Sequence, residues 1–182
     1  MRNVVVAGYA RSPFHLAGKG ALARVRPDDL AAQVIRGLIQ QTGVKAEDIE
    51  DIVLGCAFPE GEQGFNIARL IGLLADLPLS VGGMTVNRFC GSSMSSVHIA
   101  AGQIQLGAGE AFICAGVESM SRLPMMGFNP LPNPELAKKS AAYMGMGDTA
   151  ENVATKYQIT RAQQEAFAVA SQDKAAAAIA AG

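Results

Sequence analysis

Cys90 stands between Thr85-Val86, a short β-branched run, and a stretch of very small residues that opens with Gly91-Ser92-Ser93. This pattern predicts a strand handing over to a helix, with the sulfur at the junction. The first amides of a helix have no intrahelical acceptor, and the helix dipole places positive charge there. Both favour a thiolate over a thiol. The same amides can donate to a carbonyl oxygen that becomes negative when the sulfur attacks it. The chemistry indicated is nucleophilic acyl transfer through a cysteine thioester. The spacing also fits a small buried cysteine filling space between a strand and a helix, since free cysteine is among the most buried residue types.

A nucleophile needs a base, and the chain has two histidines. His98 lies on the same predicted helix, about 12 Å of rise from Cys90 at ~1.5 Å per residue, which is beyond hydrogen-bond reach. His15 falls in a loop after the first predicted strand, with nothing beside it that marks a base rather than a turn residue. The nucleophile is therefore read in this chain and its base outside it.

The elements that would position Cys90 alternate. Val4 to Tyr9 reads as a buried strand, Pro27-Asp28-Asp29 opens a helix that Gly43 stops, and Ile52 to Cys56 reads as a second strand. A helix from Asn66 to Leu77, a strand at Met84-Thr85-Val86, a helix from Ser92 to Leu106 and a strand from Ala111 to Ala115 follow. This βαβαβαβ order, with strands apolar throughout, predicts an α/β fold with a mostly parallel sheet covered by helices on both faces. The small residues Gly91, Ser92, Ser93, Ser95, Ser96, Ala100, Ala101 and Gly102 predict that the helix after Cys90 is central and buried. Beyond Met120 the texture changes to a proline- and methionine-rich excursion. Two helices then follow, opened by the box-like patterns Asp148-Thr149-Ala150-Glu151 and Thr160-Arg161-Ala162-Gln163. The expected division is a first domain over residues 1–120 and the start of a second over 121–182.

Composition narrows the function classes. With 182 residues, 49% of them hydrophobic, the chain can bury one core. Its 15 basic and 16 acidic residues give a net charge of −1, which offers no electrostatic footprint for nucleic acid or an anionic membrane. Three cysteines, Cys56, Cys90 and Cys114, are an odd number without disulfide spacing. They indicate a reducing compartment. The short apolar run after Met1-Arg2 lacks a signal-peptide core, and no stretch reaches the roughly 20 apolar residues of a membrane helix. A soluble, cytoplasmic protein is expected, without nucleic-acid or membrane partners and without a metal.

Val86-Asn87-Arg88-Phe89-Cys90-Gly91-Ser92-Ser93-Met94 resembles the acyl-enzyme signature of the thiolases. Arg11-Ser12-Pro13-Phe14, Ala115-Gly116-Val117-Glu118-Ser119-Met120-Ser121, Thr149-Ala150-Glu151-Asn152-Val153-Ala154 and the tail from Arg161 to Ala178 are similar to the same family in order and spacing. The resemblance covers the whole chain but only the first half of a family member. It implies a thiolase-like fold with an inserted helical loop domain beginning after residue 120, and an absent second half.

It further implies an acyl-CoA C-acyltransferase in which Cys90 is acylated by a 3-ketoacyl-CoA or acetyl-CoA and passes the group to CoA or to an acetyl-CoA carbanion. Coenzyme A is then a substrate and no cofactor is needed. The family's Gly-His-Pro histidine, Asn-Glu asparagine and second, Gly-rich cysteine do not occur here, so this chain alone is expected to be inactive. Ser93 departs from the glycine commoner at its position, and Gly145-Met146-Gly147 departs from the His-Met-Gly of short-chain biosynthetic thiolases. These departures lean towards a degradative 3-ketoacyl-CoA thiolase of fatty-acid β-oxidation. Met146 would line the acyl pocket, a role that ordinary core filling would equally explain. The family also implies a homodimer or homotetramer. Two readings stand beside this one: a ketoacyl-synthase-type condensing enzyme, and a non-catalytic self-associating piece or subunit of a split protein.

Overall fold

The computed structural model describes residues 2–182, which divide into two compact units, residues 2–130 and residues 131–182. The first unit is built on three parallel strands, β1 (Asp51–Gly55), β2 (Gly82–Val86) and β3 (Phe112–Gly116), in the order β2-β1-β3. Asp51 registers with Gly82 on one side and Phe112 on the other. Ile52, Val53 and Leu54 have no accessible surface, as expected of a central strand covered on both faces.

The helices divide between those faces by the two-residue period of β1. α1 (Pro27–Thr42) and α2 (Ile67–Leu74) join Ile52 and Leu54 in one core through Ala32, Ile35, Ile67, Ala68 and Ile71. α3 (Ser92–Leu106) packs on the opposite face, over β1 and β3. This split follows from the topology. The chain moves outward from β1 to β2 and returns past β1 to β3, so two crossovers of the same hand lay their helices on opposite sides. Glycines permit the close approach: a Cβ at Gly55 would lie 2.5 Å from the Ser93 amide nitrogen, and one at Gly83 2.5 Å from the Arg69 backbone.

The outer edge of β2 is closed by side chains. Asn66 donates from Nδ2 to the Gly83 carbonyl (2.8 Å) and accepts from the Thr85 amide (3.1 Å). Arg69 donates to the carbonyls of Val81 and Leu79. These bonds substitute for part of a missing neighbour strand. Asn66 itself takes a left-handed conformation (φ 57°), which asparagine tolerates better than most residues.

The expected first strand does not form. Among the described residues, residues 2–15 make no backbone–backbone hydrogen bond, and Val5 and Val6 are 77% and 83% exposed. The segment is held by side-chain bonds on either side of the run. Arg2 meets Glu110 (3.6 Å) and Gln105, and the Gly18 amide donates to Ser121 Oγ (2.9 Å). A β-branched run supplies strand propensity, whereas a strand also needs a ladder partner, and here none is engaged.

Residues 121–130 stay with the first unit, through the buried Leu123 and the Arg122–Glu62 ion pair. The second unit holds α4 (Pro134–Lys139), α5 (Met146–Tyr157) and α6 (Arg161–Ala181). The Thr160 capping box forms as read, with Gln163 bonding back to the cap. The Asp148 box does not: α5 starts earlier, behind Gly145, which leaves Asp148 inside the first turn beside the helix dipole. Among the described residues no helix is long and apolar enough to cross a membrane.

Candidate active site

The candidate nucleophile turn is set by what α3 packs against. Its first residues press on the carboxyl ends of β1 and β3, where Gly55 and Gly116 leave room for Ser92 and Ser93. A short 3-10 turn, Phe89–Gly91, precedes α3 and carries Cys90 at its centre. The sulfur thus lies at the carboxyl edge of a parallel sheet, where α/β folds form their crevices. Cys90 is exposed, which excludes its role as a buried space-filler.

The turn is tied from within. Ser92 Oγ accepts from the Arg88 amide (2.8 Å) and donates to the Phe89 carbonyl (2.6 Å), while the Phe89 amide donates to Asn87 Oδ1 (2.9 Å). Phe89 is held at φ 45°, a left-handed conformation that a bulky residue rarely takes. α3 opens on Gly91 with no side-chain cap, so its first-turn amides have no competing side-chain acceptor. The Gly91 and Ser92 amides already donate to the Arg88 and Phe89 carbonyls, so an oxyanion beside Cys90 would draw on the amides further into the first turn of α3.

α3 is buried on one face only. Ser92, Ser95, Ser96 and Ala100 face the sheet, whereas Met94, Val97 and His98 are open to solvent. The small residues therefore serve close packing on one side, and the expectation of an enclosed central helix holds for that side alone.

The other cysteines have different surroundings. Cys56, just past β1, is 1% exposed; burial pushes its thiol up to about 11, with the charge of Glu118 adding to the effect. Cys114 lies on β3, a strand expected to be apolar and covered on both faces. It is exposed instead, although its thiol donates to the Ser96 carbonyl (3.6 Å) and is pushed upward by the protein packed on its other side.

Neither histidine makes a hydrogen bond to the Cys90 turn among the described residues. His98 projects from the open face of α3, and His15 borders an open crevice with Arg11, Phe14 and Ser119 to Ser121. Met146 lies on the second unit, where it is 71% exposed at the start of α5 and borders a shallow pocket with Val153, Ala154 and Ile159. Cys90 and Met146 belong to different units. Among the described residues no three His, Cys, Asp or Glu side chains gather in a way that could hold a metal ion.

Gln63 and the particular bonds of Glu118 were not singled out from the sequence. Gln63 has no accessible surface, and its amide reaches Glu118 Oε1 (2.7 Å) and the Phe58 carbonyl (2.9 Å) beside the Cys90 turn. Gln63 gave no distinguishing sequence signal, because Glu60, Glu62 and Asn66 make its loop polar around it.

Comparison with known proteins agrees with this geometry. Residues 4–182 match the family model of the thiolase N-terminal domain. The chain is 49% identical to a 3-ketoacyl-CoA thiolase of Bacillus subtilis (strain 168) over 183 aligned positions, which take in 100% of this chain and 47% of that protein. It is 43% identical to a 3-ketoacyl-CoA thiolase of Psychrobacter arcticus, over 97% of this chain and 45% of that one. A 3-ketoacyl-CoA thiolase of Colwellia psychrerythraea is 42% identical over 96% and 46% respectively. The chain spans about half the length of the relatives it matches. With an exposed cysteine where a parallel sheet meets the start of a close-packed helix, and a family match over nearly its whole length, this chain belongs to the thiolase family and corresponds to its N-terminal domain.

Proposed function

We propose that Cys90 is the acyl-accepting nucleophile of a thiolase that cleaves 3-ketoacyl-CoA with CoA, or runs the reverse condensation of acetyl-CoA. The observation that carries the reading is an exposed sulfur in the turn before α3, beside first-turn amides with no side-chain acceptor.

In the cleavage direction the Cys90 thiolate attacks the 3-keto carbon, and the carbonyl electrons move onto oxygen, where the amides at the start of α3 hold the charge. Collapse of this intermediate restores the carbonyl and breaks the bond between carbons 2 and 3. The electron pair leaves with acetyl-CoA, which takes up a proton. The thiol of CoA then attacks the acyl-cysteine, giving the shortened acyl-CoA and returning the Cys90 thiolate. Both thioesters have similar energy, so the transfer runs either way.

The proton-transfer groups belong, on this proposal, to the other half that the longer relatives carry, and the 182-residue chain alone does not turn over. Met146 is assigned to the acyl chain and CoA is a substrate rather than a cofactor. A cytoplasmic homodimer or homotetramer acting in fatty-acid β-oxidation completes the reading.

The test is adduct mapping by mass spectrometry on a protein extended to the length of its relatives. Incubation with acetoacetyl-CoA should leave an acetyl group on Cys90, and Cys90→Ser should abolish both the adduct and thiolysis. An acetyl group on Cys56 or Cys114 with Cys90 unmodified, or turnover retained in C90S, would refute the assignment.

A further inference from the structure

Gln63 is completely buried, and its amide group joins its own loop after β1 to the loop after β3 at the carboxyl edge of the sheet. Nε2 lies 2.7 Å from Glu118 Oε1, 2.9 Å from the Phe58 carbonyl and 3.3 Å from Cys56 Sγ, and Oε1 accepts from the Ser119 amide at 2.7 Å. Two hydrogens serve three acceptors, so the two oxygens take them and the sulfur is the weaker contact. The second oxygen of Glu118 accepts from the Ala57 amide at 2.7 Å. Ala57 and Phe58 are thereby fixed from below.

From above, the same two residues hold the nucleophile turn. The Ala57 carbonyl accepts from Asn87 Nδ2 (2.9 Å), and Asn87 Oδ1 accepts from the Phe89 amide (2.9 Å). The Phe58 ring meets the Phe89 ring at 6.1 Å between centroids, tilted by 49°. Phe89 directly precedes Cys90 and sits at φ 45°, a conformation that persists only where its surroundings over-determine it.

We infer that Gln63 and Glu118 are positioning residues for Cys90, acting through Ala57, Phe58 and Asn87 to hold the left-handed Phe89 and so aim the sulfur and the amides after it. An apolar side chain could fill the space of Gln63. What the amide adds is one geometry, because a fully satisfied buried polar network rigidifies a single arrangement. The inference rests on Cys90 being the nucleophile.

The swap of the pair tests it, in a protein extended to the length of its relatives. Gln63→Glu sets two carboxylates against each other, and Glu118→Gln turns an N–H onto either the Ala57 amide or the Gln63 amide. In the double variant Q63E/E118Q the amide introduced at 118 donates to the carboxylate introduced at 63. Its oxygen still accepts from Ala57 and the Ser119 amide keeps an acceptor, whereas the Phe58 carbonyl loses its donor, so the swap restores the network in part. Each single variant should lower kcat for thiolysis by about tenfold or more with KM within about twofold, and the double variant should recover about threefold or more over the poorer single while staying below the parent. Asn87→Ala cuts the same path at an exposed residue and should lower kcat in the same way, which keeps the test open where Q63E fails to fold.

A kcat within about twofold of the parent in E118Q and N87A, or a double variant no better than the poorer single, would overturn the inference. Cys90→Ser measured alongside separates the two levels. An inactive C90S beside unaffected network variants removes only the positioning role, whereas an active C90S removes the nucleophile and the positioning role with it.

Discussion

Three cysteines with the same intrinsic chemistry are separated here by their surroundings. Cys56 is buried with its thiol pushed up to about 11, so at neutral pH roughly one molecule in ten thousand carries the thiolate there. Cys114 is also pushed upward by burial. Cys90 is exposed, in the turn just before α3, whose first turn carries no side-chain cap. Limiting iodoacetamide at neutral pH should therefore modify Cys90 first, Cys114 more slowly, and Cys56 only after the chain is unfolded. Peptide mapping of a time course reads this directly, and native Cys56 reacting as fast as Cys90 would contradict it. The place of Cys90 at a strand-to-helix turn was legible because it depends on a local pattern, a strand end followed by tiny residues. Gln63 was not, because its partners Glu118 and Ser119 are distant in sequence and meet it only once the sheet has formed.

At the scale of elements, a charge cluster ties the start of α1 to two loops of the sheet's carboxyl edge. Arg122 donates from Nε to Glu62 Oε2 (2.9 Å), Arg26 approaches the same carboxylate (3.4 Å), and Arg26 also grips the buried Asp28 through Nε (3.0 Å) and a terminal nitrogen (2.6 Å). The hydrogen bond from Arg122 holds Glu62 below its usual range. A carboxylate whose folded value lies below its unfolded value of about 4.3 adds stability above that pH, and loses it as the pH falls through the lowered value. Arg122→Met should accordingly lower the thermal unfolding midpoint at neutral pH, with the difference from the parent shrinking in acid below about pH 4. An equal difference at both ends of that range would show that the pair contributes packing rather than charge. Local pattern served the elements unevenly. α3 begins and ends where its small-residue run and the following glycine place it, and the Thr160 box caps α6, because both signals act within one turn. The Val4 to Tyr9 run failed as a strand because pairing is decided by a partner elsewhere in the chain. The Asp148 box failed because Gly145 supplied an earlier start to α5.

Over the molecule as a whole, the run that does not pair becomes a liability. Val4, Val5, Val6 and Tyr9 are 40%, 77%, 83% and 83% exposed, in an extended segment free of charged residues and of backbone hydrogen bonds. An uncharged β-branched stretch with unpaired amides and carbonyls is a template for another chain. The β2 edge is guarded against this by Asn66 and Arg69, whereas residues 4–9 have no equivalent guard. The net charge of −1 supplies little repulsion between copies. The 182-residue chain should therefore associate with rising concentration, and Val5→Lys should suppress association by placing a charge in the run. Because the Val5 side chain is already mostly in water, the same substitution should leave the thermal unfolding midpoint of dilute protein unchanged. Sedimentation velocity over a concentration series, paired with thermal unfolding, separates the two effects. Association undiminished in V5K would move the adhesive surface elsewhere. The exposed Phe167, Val169 and Ile179 of α6, a helix with no buried residue among those described, would then be the next place to set a lysine.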